Sequence, residues 1–174
     1  PIQKEAIPYL INGDKDLIAL AQTGTGKTAA FGLPIIEKID VERKLPQTII
    51  LCPTRELCLQ ITKDMDSYAK YIKGIKITPV YGGANIQTQI RALNSGSQII
   101  VGTPGRVIDL IKRKKLKLND IESVVLDEAD EMLNMGFKDD LDIILAETPE
   151  EKQTLLFSAT MPKEVMRITK DYMF

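Results

Sequence analysis

Leu17-Ile18-Ala19-Leu20-Ala21-Gln22-Thr23-Gly24-Thr25-Gly26-Lys27-Thr28 passes from an apolar run, through a glycine-containing turn, to a lysine and a threonine. The apolar run reads as a short buried strand, and a helix opens at Lys27 or Thr28. Gly24 and Gly26 lack a Cβ, so the backbone can take positive φ and turn its N–H groups inward, while the helix start adds its positive dipole end. The product is an anion cradle. Lys27 can reach the β and γ phosphates of a nucleotide as a point charge and the Thr28 hydroxyl can ligate Mg²⁺, the arrangement called the P-loop or Walker A motif. A bare Gly-x-Gly would suit any strand-to-helix turn; the strand before it, the helix after it and the Lys-Thr pair point to phosphate.

The chain has 174 residues, 44% of them apolar, enough for one cored domain. Its 23 basic and 24 acidic residues leave a formal net charge of −1, so no global positive field draws in nucleic acid and any such binding must be local. No apolar run approaches the ~20 residues needed to cross a bilayer, and the start lacks the pattern of a signal peptide. A soluble, cytoplasmic protein without a membrane partner is expected. With no histidine and only Cys52 and Cys58, a zinc site of usual ligand count is excluded. Both cysteines read as packing thiols, which fits a reducing compartment. The abrupt ends, Pro1-Ile2-Gln3 and Tyr172-Met173-Phe174, suggest a domain of a longer protein, monomeric in isolation.

Periodicity supplies the remaining elements. Ile2, Ala6, Ile7 and Leu10 predict a short helix interrupted by Pro8. A helix over about 27–39 follows the phosphate loop, and Ile49-Ile50-Leu51-Cys52 reads as a buried strand. The spacing predicts a long helix from Thr54 to about Ile72, with Leu57, Ile61, Met65 and Tyr68 on one stripe. Residues 75–81 alternate as a strand placed near an edge by Pro79, and residues 85–94 as a helix. Ile99-Ile100-Val101 is a strand, after which Thr103 as N-cap and Pro104 at the first helical position start a helix to about Lys114. Val124-Val125-Leu126, a helix broken near Gly136 and resumed over about 137–146, Leu155-Leu156-Phe157 and a helix from about Pro162 complete the chain. Short apolar strands alternating with helices predict an α/β fold: a mostly parallel sheet with helices on both faces.

The polar and glycine-containing clusters at 21–28, 53–56, 82–83, 103–106, 127–130 and 158–160 each follow a strand directly. In a parallel sheet these positions share one rim, the carboxyl rim where open α/β sheets hold ligands. There Lys27 is expected to face Asp127-Glu128 across a space sized for a triphosphate. Asp127 can hold Mg²⁺, usually through water, and Glu128 can orient and deprotonate an attacking water. Lys112, Arg113, Lys114, Lys115 and Lys117 read as a solvated helix end.

Ala21–Thr28, Pro53-Thr54-Arg55-Glu56-Leu57, Thr103-Pro104-Gly105-Arg106, Asp127-Glu128-Ala129-Asp130 and Ser158-Ala159-Thr160 together resemble, in order and spacing, the motifs of a DEAD-box RNA helicase. The resemblance covers nearly the whole chain, extends through Glu131-Met132-Leu133-Asn134-Met135-Gly136-Phe137, and accounts for alanine at position 21. It implies the N-terminal RecA-like P-loop domain of the helicase core, with ATP and Mg²⁺ as cofactors. Ala21, Gln22, Thr23, Gly24, Thr25, Gly26, Lys27 and Thr28 would hold ATP, Thr28 and Asp127 the metal, and Lys27, Asp127 and Glu128 the chemistry. Gln3 is similar to the glutamine that pairs with adenine, its amide matching N6 and N7; the aromatic that stacks on the base would fall before Pro1. Pro53, Thr54, Arg55, Gly82, Gly83, Thr103, Pro104, Gly105 and Arg106 would line a sequence-independent path for the RNA backbone. Asp130, Ser158 and Thr160 would couple the two sites.

The guanine-reading Asn-Lys-x-Asp or Thr-Lys-x-Asp of a GTPase and the Leu-Ser-Gly-Gly-Gln of a transport ATPase do not occur. The rival reading is an ATP-gated RNA clamp without productive unwinding. RNA rather than DNA rests on the resemblance alone, which also implies a partner: a second RecA-like domain bearing the arginine fingers.

Overall fold

The computed structural model describes residues 2–11, 13, 15–21 and 26–173. Gln22, Thr23, Gly24 and Thr25, the middle of the predicted phosphate loop, lie outside the described residues. Elements follow in the order α1 (Ile2–Ile11), β1 (Leu17–Leu20), α2 (Lys27–Lys38), β2 (Thr48–Leu51), α3 (Arg55–Tyr68), β3 (Ile77–Val80), α4 (Ile86–Asn94), β4 (Ile99–Gly102), α5 (Pro104–Lys112), β5 (Ser123–Leu126), α6 (Ala129–Asn134), α7 (Lys138–Ala146), β6 (Gln153–Ser158) and α8 (Lys163–Tyr172).

Six strands form one parallel sheet in the order β1-β6-β5-β2-β4-β3. Strands of four to six residues, buried along their whole length rather than at alternate positions, are what a sheet covered on both faces requires. The period of two then sorts neighbours into two cores. Ile49, Leu51, Ile100, Val124, Leu126 and Leu156 point to one face, covered chiefly by α5 to α8. Ile50, Cys52, Val101, Val125, Leu155 and Phe157 point to the other, covered by α1, α2 and α3.

β3 is an edge strand, where Pro79 costs no ladder hydrogen bond to an outer neighbour. The central strands, rich in Ile, Val and Leu, are fully buried. Cys52 and Cys58 are free and buried, as their packing roles require.

Two boundaries differ from expectation. α1 runs unbroken through Pro8, because burial of Ala6 and Leu10 on the face toward α2 outweighs one missing backbone hydrogen bond. α3 ends at Tyr68 rather than near Ile72: Tyr71 and Ile72 are exposed and have no core to bind, and the chain turns away through Gly74 at φ 94°.

Candidate functional site

Backbone hydrogen bonds bring the strand exits together. The Asp127 N–H donates to the Leu51 carbonyl at 2.9 Å, Cys52 N–H to Gly102 at 3.0 Å, Thr103 N–H to Val80 at 3.0 Å, and Ala21 N–H to Ser158 at 3.0 Å. The clusters separated in sequence therefore lie side by side on the carboxyl rim. A cavity of about 720 Å³ sits at the opposite, amino edge, among Ile35, Thr48, Ser123 and Gln153, and contains none of the predicted site residues.

At the centre of the rim, Lys27 Nζ lies 2.8 Å from Asp127 Oδ1, with the two side chains 5% and 0% exposed. Lys27 thus faces Asp127 as expected, and in this structure the two side chains meet directly as a buried ion pair. The contact is a close ion pair within hydrogen-bonding distance, and the Glu128 backbone also favours the Asp127 carboxylate. Burial pushes the Asp127 carboxyl above the usual carboxylate range, and the Lys27 charge beside it offsets part of that rise. A buried pair of opposite charges carries a desolvation cost that its mutual attraction and added hydrogen bonds must offset.

Gly26 takes φ 75° as it enters α2, and a Cβ there would collide with the Gln3 amide. That amide donates to the Gly26 carbonyl at 3.1 Å, so Gln3 is seated against the end of the phosphate loop. Glu128 occupies the left-handed region at φ 53°, an uncommon state for a residue with a side chain, immediately beside the ion pair.

Asp130, Ser158 and Thr160 form a closed network between the end of β6 and the start of α6. Thr160 donates to Asp130 Oδ2 from its hydroxyl at 2.9 Å and its N–H at 3.1 Å; the Asp130 N–H donates to Ser158 Oγ at 3.2 Å; and Ser158 Oγ donates to the Thr160 carbonyl at 2.7 Å. Desolvation raises the Asp130 pKa, but hydrogen bonding from Thr160, Ser158 and nearby N–H groups outweighs it and leaves the carboxyl below its ordinary value.

Further along the rim, the Thr54 hydroxyl caps α3 by accepting from the Leu57 N–H at 3.2 Å. Thr103 occupies the N-cap of α5 but its hydroxyl makes no capping bond, so Pro104 and backbone conformation alone start that helix. Pro53 is buried and shapes the exit of β2 without presenting its ring outward. The Arg55 guanidinium sits 5.1 Å from the centre of the Tyr81 ring. A Cβ added at Gly82 or at Gly105 would meet nothing within 4 Å, so no internal packing calls for glycine at either position. Glycine inside a helix costs about 0.5–1 kcal/mol against alanine, and no contact among the described residues offsets that cost at Gly105.

Two residues at this end escaped the sequence reading. Tyr81 stacks under Arg55, and Gln89 is bonded to Arg106. For Gln89 a signal existed: it interrupts the apolar stripe Ile86, Ile90 and Leu93 of α4 with an amide, and a polar residue on a buried stripe needs a partner.

An all-parallel sheet of this order, with a lysine at the first loop-to-helix junction held against an acidic strand end, defines a RecA-like P-loop domain. The chain belongs to the DEAD/DEAH box helicase family, whose model matches residues 1–168. It is 56% identical over 99% of its length to the DEAD-box ATP-dependent RNA helicase CshA of Streptococcus pneumoniae and 51% identical over 99% to the ATP-dependent RNA helicase DeaD of Escherichia coli. It spans 33% and 27% of those two proteins. The crystal structure of a DEAD box protein from Methanococcus jannaschii superposes with a TM-score of 0.93 at 45% identity, over 99% of this chain and 47% of that one.

Proposed function

We propose that this chain is the N-terminal half of an ATP-dependent RNA helicase core, binding ATP with Mg²⁺ and the RNA backbone, and coupling hydrolysis to duplex unwinding together with a second RecA-like domain. The observation that carries the reading is the buried pair of Lys27 and Asp127, with Glu128 adjoining, on the rim that also carries the α3 and α5 N-termini. Family membership and the printed functions of CshA and DeaD support RNA over DNA. Free, buried cysteines and the absence of any described helix long and apolar enough to cross a membrane suit a cytoplasmic setting.

In this reading Lys27 leaves Asp127 to meet the β and γ phosphates, a change that needs a new partner for each charge. Thr28 and Asp127 fit Mg²⁺: both offer oxygen, Asp127 is a buried carboxylate at a strand end, and Mg²⁺ takes few protein ligands because it keeps water and phosphate oxygens. When bound, the metal neutralises charge on the phosphate oxygens. Glu128 orients the attacking water and accepts its proton. Gln3 recognises the adenine edge. The network of Asp130, Ser158 and Thr160 ties β6 to the segment beginning at Glu128, so a shift at one end reaches the other.

The test is ATPase activity of the full-length protein with RNA and with DNA of the same sequence. RNA stimulates turnover and DNA does not; equal stimulation by DNA contradicts the substrate assignment. Strand displacement by the same protein separates a helicase from an ATP-gated clamp. Residues 1–174 alone lack an arginine finger from the partner domain and turn over about 10³–10⁵-fold more slowly even with RNA; robust RNA-stimulated turnover by this fragment contradicts the two-domain mechanism.

A further inference from the structure

Gln89 belongs to no motif read from the sequence, yet it is only 6% exposed and both ends of its amide are committed. Its Oε1 accepts from Arg106 Nη1 at 2.8 Å, and its Nε2 donates to the Tyr81 carbonyl at 3.1 Å. Arg106 Nη2 donates to the Ala84 carbonyl at 3.1 Å. The amide has one orientation only, since a guanidinium offers nothing but donors and a carbonyl nothing but an acceptor. One buried side chain on α4 thus joins the first turn of α5 to the Tyr81–Ala84 turn that contains Gly82 and Gly83.

We infer that Gln89 is a positioning residue for RNA: it holds the Arg106 guanidinium on the rim, beside Gly82 and the α5 N-terminus, in the orientation that grips a backbone phosphate. A free arginine would lose its rotamer freedom on binding; one already fixed by an acceptor and a carbonyl has lost it in folding. Two of the five guanidinium N–H groups are spent on the protein, and the others are left for phosphate. This inference rests on the RNA-backbone reading of Arg106 given above.

The experiment measures RNA-stimulated ATPase of the full-length protein carrying Gln89→Met, Gln89→Glu, Arg106→Ala and the double substitution Gln89→Met with Arg106→Ala. Gln89→Met, close in volume and without hydrogen-bonding groups, raises the KM for RNA about tenfold. Its kcat at saturating RNA and its KM for ATP stay at the parent values, which loss of folded protein would not reproduce. Gln89→Glu keeps the acceptor for Arg106 but loses the donor to the Tyr81 carbonyl, so its RNA KM rises, though less than that of Gln89→Met. In the Arg106→Ala background Gln89→Met adds less than about twofold, because its effect runs through Arg106. If Gln89→Met does not fold, Gln89→Leu, also uncharged and without hydrogen-bonding groups, replaces it with the same expectation. An RNA KM unchanged in Gln89→Met, or effects that multiply fully in the double variant, overturns the inference. An Arg106→Ala variant with parental RNA KM overturns the RNA reading of that rim and this inference with it; a large Arg106→Ala effect beside a silent Gln89→Met overturns this inference alone.

Discussion

Two groups of side chains on the carboxyl rim solve opposite problems. Around Lys27 and Asp127, two buried opposite charges are held chiefly by each other, away from water. Around Asp130, Ser158, Thr160, Gln89 and Arg106, the bonds that link one element to the next are already made. The first arrangement is costly until a ligand arrives, which suits a site that must open, bind and release. The second is settled in advance, which suits contacts that keep their shape whether or not a ligand is bound nearby.

The largest effect that would sharpen this contrast comes from Lys27→Ala, which lowers turnover of the full-length protein by about 10²–10³-fold, the cost of losing a donor to developing phosphate charge. Near-normal turnover breaks the assignment of that group as the phosphate site. The same substitution strands Asp127 as a buried charge and destabilises the nucleotide-free protein by about 3 kcal/mol, whereas adding Asp127→Asn recovers most of the loss; denaturant unfolding of the single and double variants decides.

The penalty also depends on pH. Because burial holds the folded Asp127 pKa above its unfolded value, this carboxyl favours the native state most below the ordinary aspartate range near ~4, and its contribution declines as pH rises through the raised folded value. Without Lys27 that value rises further, so the destabilisation of Lys27→Ala shrinks in acid. A penalty equal at acidic and neutral pH contradicts the account.

At the preorganised contacts the effects are smaller. Thr160→Val removes one of the bonds to Asp130, lowers RNA stimulation of turnover about tenfold and leaves nucleotide affinity unchanged. It also raises the Asp130 pKa toward its ordinary value, which an NMR titration reads. The sign is opposite to that at Asp127: the folded pKa is depressed, so the stabilisation is present above the ordinary aspartate range and is lost as pH falls through the lowered value. The smallest change is Gly105→Ala, which stabilises the protein by about 0.5–1 kcal/mol because no packing demands glycine there, while weakening RNA binding by crowding the rim. A variant that is more stable and binds RNA as the parent does removes the reason for that glycine.

Much of this was legible in the sequence because its cause is local. Buried strands such as Ile49–Leu51 and Val124–Leu126 announce themselves as short apolar runs, and the rule that parallel strands end at one rim brought distant clusters together before any coordinate. Pro79 placed β3 near an edge through its missing N–H. Other features depend on tertiary context. Whether α1 survives Pro8 is decided by its packing on α2, and whether α3 continues past Tyr68 by the lack of a core beneath Tyr71. The closed Lys27–Asp127 pair follows from burial of both charges, and the reach of Gln89 to Arg106 and Tyr81 from the crossing of α4, β3 and α5. Neither can be counted from spacing along the chain.

The most direct measurement is a paired one on Glu128→Gln in the full-length protein: equilibrium binding of ATP and RNA, and RNA-stimulated turnover, in one set of conditions. Glu128 adjoins the ion pair in a left-handed backbone state and is assigned to the attacking water rather than to holding the phosphates. Binding of both ligands therefore stays near that of the parent while turnover falls by at least about a hundredfold. Turnover close to the parent, with both ligands bound, would contradict the placement of catalysis beside this ion pair.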